Sequence, residues 1–102
     1  MTTKNTTVPI FPVGQTLATP GALEALEVAG QTTQEFLNRH SRGDWGIVNQ
    51  QDQQANNASL TDGSRLLSAY RLSTGVKIWI ITEAADDTGS RAATTVLLPE
   101  EY

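Results

Sequence analysis

Cysteine is missing from these 102 residues, histidine and methionine occur once each, and aromatic residues are scarce at 6%. Without thiols there is no disulfide, no thiolate zinc site and no cysteine nucleophile, and His40 alone cannot hold a transition metal. No metal is expected. Neither G-x-G-x-x-G nor G-x-x-x-x-G-K-[ST] occurs, so no nucleotide cofactor is expected either. The first eight residues lack a basic segment followed by an apolar run, and nowhere do eighteen apolar residues follow one another. A soluble, cytoplasmic protein that does not enter membranes is the expectation. Positive charge is also short: seven Lys and Arg against eleven Asp and Glu leave a net charge of −4, which repels a phosphate backbone unless the cations gather on one face. Nucleic acid is therefore a disfavoured partner. The only acidic doublets, Asp86-Asp87 and Glu100-Glu101, are too few for an acidic surface that imitates DNA.

What is present fits one domain, since a chain of this length buries roughly two-thirds of its unfolded surface and rarely divides. Residues 1–16 are Thr-rich and hold Pro9 and Pro12, which interrupt a ladder or a helix. They read as a flexible or extended arm, with Ile10 and Phe11 available to pack on the core or on a neighbour; residues 17–102 form the domain. Thr19-Pro20 opens a helix over 20–29 that Gly30 closes, and Thr32-x-x-Glu35 opens a second that ends by Gly43. Asn49-x-x-Asp52 caps a third, polar helix that stops at Asp62-Gly63, with Ala55, Ala58 and Leu60 as a thin apolar edge. The period then changes. Leu66–Leu72, Val76–Thr82 and Thr94–Leu98 are rich in branched and aromatic residues and are separated by Ser73-Thr74-Gly75 and by the polar loop 84–90. The fold class expected is α+β, with two or three short N-terminal helices followed by a three-stranded antiparallel meander. Ile78, Ile80, Ile81, Leu67, Leu97, Leu26 and Phe36 are the expected core.

Several segments, taken in order, carry a resemblance: Thr-Pro-Gly-Ala-Leu-Glu-Ala-Leu (19–26), Arg-His-Ser-Arg-Gly-Asp-Trp-Gly (39–46), Arg-Leu-Leu-Ser-Ala-Tyr (65–70), Ile-Trp-Ile-Ile-Thr-Glu (78–83) and Thr-Thr-Val-Leu-Leu-Pro-Glu-Glu-Tyr (94–102). Across roughly residues 17–102 the chain resembles a family of small bacterial plasmid-related proteins found on plasmids and integrated mobile elements. The resemblance implies a setting and not a reaction. With no catalytic motif and an exposed polar third helix, the chain reads as a non-enzymatic accessory or interaction protein. The strands are apolar on both faces and the helices can cover only one, so a protein partner, a second copy of the chain or residues 8–13 are expected over the other. The loop 84–90 is longer than the short polar turn of that family. In order of elements alone, the chain is also similar to small ribonucleases of the barnase and RelE type, which implies an RNA-directed alternative.

For that alternative, the acid, base and cation around a scissile phosphate would be drawn from His40, Glu83, Arg71 and Lys77. Any soluble domain holds such an inventory, and Arg39, His40 and Arg42 at a helix C-terminus are also read as cations meeting the negative end of the helix dipole. No catalytic residue is assigned. Gly43-Asp44-Trp45-Gly46 reads as a turn in which Asp44 accepts backbone hydrogen bonds and Trp45 fills a core edge. On the sheet, Arg71, Lys77 and Trp79 share one face, and this is the expected binding surface unless Trp79 is packed beneath a helix.

Overall fold

A computed structural model describes residues 9–102. In chain order it runs β1 (Gln15–Ala18), α1 (Pro20–Ala29), α2 (Thr33–Ser41), α3 (Gln50–Asp62), β2 (Leu66–Arg71), β3 (Lys77–Thr82), β4 (Ala93–Leu97) and a closing 3₁₀ turn over Pro99–Glu101. The protein is α+β. Each α-helix starts where a side-chain oxygen replaces a missing backbone acceptor: Thr19 Oγ1 takes the N–H of Ala22 at 3.1 Å, Thr32 Oγ1 that of Glu35 at 3.2 Å, and Asn49 Oδ1 that of Asp52 at 2.8 Å. Gly30 and Gly63 close α1 and α3 in the left-handed region.

The sheet has four strands in the order β1-β4-β3-β2. The expected three-stranded antiparallel meander is therefore incomplete, and the helices are not all N-terminal to the sheet. β2, β3 and β4 do follow one another antiparallel, but β1 precedes the helices and pairs parallel with β4, Gln15 opposite Ala93 and Ala18 opposite Val96. The crossover from β1 to β4 runs through most of the chain, so no local signal announces it. Gly14 makes the approach possible: it sits at φ 65°, and a Cβ there would lie 2.2 Å from the carbonyl oxygen of Arg91. Of the arm read over 1–16, residues 1–8 lie outside those described, Phe11 is buried, and Gln15 and Thr16 belong to β1.

Strand parity divides the sheet into two faces. The inner face carries Leu66, Ser68, Tyr70, Ile78, Ile80, Thr82, Thr94 and Val96, all essentially inaccessible. Ala22 and Leu26 of α1 and Phe36 of α2 pack on it, with Ala25, Ala29 and Leu37 around them. Six of the seven expected core residues are buried; Leu67 is half-buried and its neighbour Leu66 takes the inward place. A second, smaller cluster joins Phe11, Trp45 and Leu66.

α3 departs from the expected pattern. Its apolar edge, Ala55, Ala58 and Leu60, is exposed, and the residues it turns inward are Asn56 and Ser59. The reason lies in β2, whose outer edge has backbone groups to satisfy. The Asn56 amide donates to Leu67 O at 2.7 Å and accepts from Leu67 N at 3.0 Å, acting as one residue of a missing strand. Further along, Ala69 N donates to Trp45 O and Ile47 N to Ala69 O. The second pairing needs Gly46, at φ 76°, because a Cβ there would lie 1.9 Å from Ala69 O.

Candidate functional site

On the inner face, α2 delivers His40 into the sheet, where it is wholly inaccessible. Its Nδ1 lies 2.5 Å from Ser68 Oγ and its Nε2 2.8 Å from Thr82 Oγ1; Thr82 Oγ1 lies 2.7 Å from Thr94 Oγ1, which donates to Val13 O at 2.7 Å. The proton directions follow from the end of this chain. A carbonyl only accepts, so the Thr94 hydroxyl is spent on Val13, the Thr82 hydroxyl donates to Thr94, and Nε2–H donates to Thr82. Nδ1 is left bare to accept from Ser68. Burial, and secondarily the Arg91 guanidinium, lowers the His40 pKa to about 4, so the ring is neutral at pH 7. The reading of His40 as a cation on the helix dipole is corrected: it is an uncharged core residue, and the Arg39 guanidinium instead holds Asp44 at 2.7 Å.

Among the described residues, two aromatic rings and a guanidinium surround this network. Phe11 stands edge-on to the imidazole with centroids 5.2 Å apart and stacks on Trp45 at 6.1 Å. Arg91, 6% exposed, donates to the carbonyls of Ser59, Ser64 and Glu83 at 2.8–3.0 Å. It thereby meets the C-terminal, negative end of α3 while its guanidinium lies 5.9 Å from the Phe11 centroid. Serine beside histidine is a nucleophile–base pair by composition. With Ser68, His40 and Thr82 all at 0% exposure, no substrate reaches it.

The outer face is only partly covered: Ala69, Ile81 and Leu97 are buried on it, and Arg71 and Lys77 are exposed. Register puts Arg71 directly opposite Lys77 and Ala69 opposite Trp79, so Arg71, Lys77 and Trp79 do share a face, and Arg65 joins them by parity. Three of the chain's seven cations thus lie on one side of an acidic protein. Among the described residues neither Arg71 nor Lys77 has an ion-pair partner; Arg71 donates to the Gly75 carbonyl at 3.3 Å. Trp79 is half-buried, and its ring contact is Tyr102, edge-on at 5.7 Å. Arg65 donates to the Tyr102 hydroxyl and lies 5.7 Å from its ring. A cleft of ≈ 270 Å³ opens beside them, floored by Ile81, Thr95 and Leu97 with Glu83 at its rim.

The four residues of the ribonuclease-type alternative are not brought together: His40 lies sealed beneath the sheet, Arg71 and Lys77 sit at one end of the opposite face, and Glu83 follows the other end of β3. Arg65 was legible by parity once Leu66 is set inward; Tyr102, carried back by the 3₁₀ turn, had no sequence signal. Among the described residues no group of three or more His, Asp or Glu side chains gathers as a metal site, and no helix is long and apolar enough to cross a membrane. No family model, curated protein or solved structure matches the chain.

Proposed function

We propose that this chain is a small non-catalytic interaction protein whose outer sheet face receives an acidic segment of another protein. The observation that carries the reading is the pair Arg71–Lys77. Like charges directly opposite in a ladder destabilise a sheet, and here, among the described residues, they stand without an ion-pair partner beside a half-buried tryptophan. A partner carboxylate relieves that repulsion, and an apolar side chain can settle on Trp79, Ile81 and Leu97. The setting in bacterial plasmids and mobile elements rests on the sequence resemblance.

An affinity capture from bacterial lysate, with and without nuclease, tests it. The expected result is a protein retained after nuclease treatment and lost in the folded double variant Arg71→Glu/Lys77→Glu. Capture that disappears with nuclease, or that the double variant leaves intact, overturns the reading.

A further inference from the structure

The two edges of the sheet are treated differently. On β2 the outward backbone groups of Leu67 and Ala69 are all engaged, by the Asn56 side chain and by the 45–47 segment. On β1 they are not. Gln15 N donates to Ala92 O and Thr19 N to Val96 O, so residues 15, 17 and 19 turn their backbone toward β4, and Thr16 and Ala18 turn theirs away. Among the described residues nothing meets those outward groups. The usual protections of an edge are charge, proline and bulges, and Gln-Thr-Leu-Ala has none of them; its brevity alone limits what it can pair with.

We propose that β1 is a dimerisation edge, pairing antiparallel with β1 of a second copy of this chain. The pattern of outward groups is self-complementary. A twofold axis set at Leu17 places Thr16 opposite Ala18 of the second copy and Ala18 opposite its Thr16. Each pair then exchanges two ladder hydrogen bonds. Leu17 meets its own counterpart on the axis as a non-hydrogen-bonded pair, with Cα atoms about 4.5 Å apart, the closest side-chain approach a ladder offers. Leu17 is 44% exposed and apolar, which suits that place and no other on this edge.

Charge selects the occupant. Residues 12–19 carry no ionisable side chain in a chain where 18% of residues are charged and the net charge is −4. The carboxylate that reaches them, Glu101, accepts from the Thr19 hydroxyl at 2.5 Å, two residues from Leu17, so the paired residues 16–18 add no like-charge contact of their own. An interface this small lies at the low end of specific association, so the dimer forms with rising concentration. It joins two sheets into one and leaves both outer faces on the same side.

Sedimentation of the full chain from about 10 μM to about 1 mM, which spans weak association, reads the proposal. The expected result is a monomer–dimer equilibrium that Leu17→Lys and Leu17→Glu each abolish and that an equimolar mixture of the two restores. Thr16→Pro, which removes an outward N–H without touching the β4 ladder, abolishes it as well. Amide exchange needs no variant: the Thr16 and Ala18 N–H groups gain protection at high concentration. A chain that stays monomeric at the top concentration overturns the proposal. So does a dimer indifferent to Leu17→Lys, a mixture that fails to re-form it, or a dimer that appears only after residues 1–8 are removed.

Discussion

At the scale of single residues, the acid behaviour of the protein follows from His40. Its folded pKa, about 4, lies below the ordinary value of 6.5, so the native state favours the neutral ring. Stability is fully present above pH 6.5 and is lost as pH falls toward 4, because the unfolded chain takes up the proton first. The shift corresponds to about 3 kcal/mol over the whole window and about 2 kcal/mol between pH 7.5 and pH 5. Asp44, held below the usual carboxylate range by Arg39, contributes only at more acid pH. Urea unfolding at the two pH values should show this loss, and His40→Gln should flatten it. An unchanged slope in the variant would mean that another group carries the dependence. Lys77 offers a second prediction, because Lys77→Glu sets an opposite charge across from Arg71 in place of a like one. It should raise stability by about 0.5 kcal/mol while weakening capture of the partner. A thermal midpoint that falls would remove the repulsion on which the proposed function rests.

At the scale of elements, the helices and three of the four strands were legible, and β1 was not. Thr19-Pro20, Thr32-x-x-Glu35 and Asn49-x-x-Asp52 are local chemistry, and the caps form where the residues stand. β1 has no such mark: Gln-Thr-Leu-Ala lacks a run of branched residues, and its partner lies far along the chain. Arg91 and the Ser68–His40–Thr82–Thr94 network were equally hidden, since their roles arise only when four elements converge. The inward face of α3 shows why apolar periodicity misled there: an edge strand asks for hydrogen bonds, and Asn56 supplies a pair of them. Asn56→Leu keeps the volume but strips the Leu67 N–H and C=O of partners, so it should cost about 1–3 kcal/mol. Ile80→Ala, at 0% exposure in the middle of β3, should cost about 2–5 kcal/mol. Denaturation midpoints test both, and an unmoved midpoint for Ile80→Ala would place β3 outside the core.

At the scale of the whole molecule, one side chain from the N-terminal segment closes the interior. Ile10 N donates to Ser41 O at 2.8 Å and Val13 O receives the Thr94 hydroxyl, so both flanks of Phe11 are tied to the domain. Its ring then covers the imidazole of His40, the indole of Trp45 and the guanidinium of Arg91 together. The segment that precedes β1 is thus what keeps water from the polar network. Truncation of Phe11 should act on two observables at once. Phe11→Ala should lower stability by about 3 kcal/mol, through lost burial and an incompletely collapsed cavity. Because the cavity borders His40 and Arg91, polar groups able to hold water, it should also fill with solvent and reduce the desolvation that depresses the imidazole. The His40 pKa should therefore climb from about 4 toward its ordinary value, and the pH dependence of stability should shrink in step. Phe11→Leu is the contrast: it fills most of the space, so it should cost less stability and leave the pKa low. Imidazole titration by NMR in the three proteins decides the matter. A Phe11→Ala protein that loses stability while its histidine still titrates near 4 would show that the interior is sealed by the sheet and α2 alone.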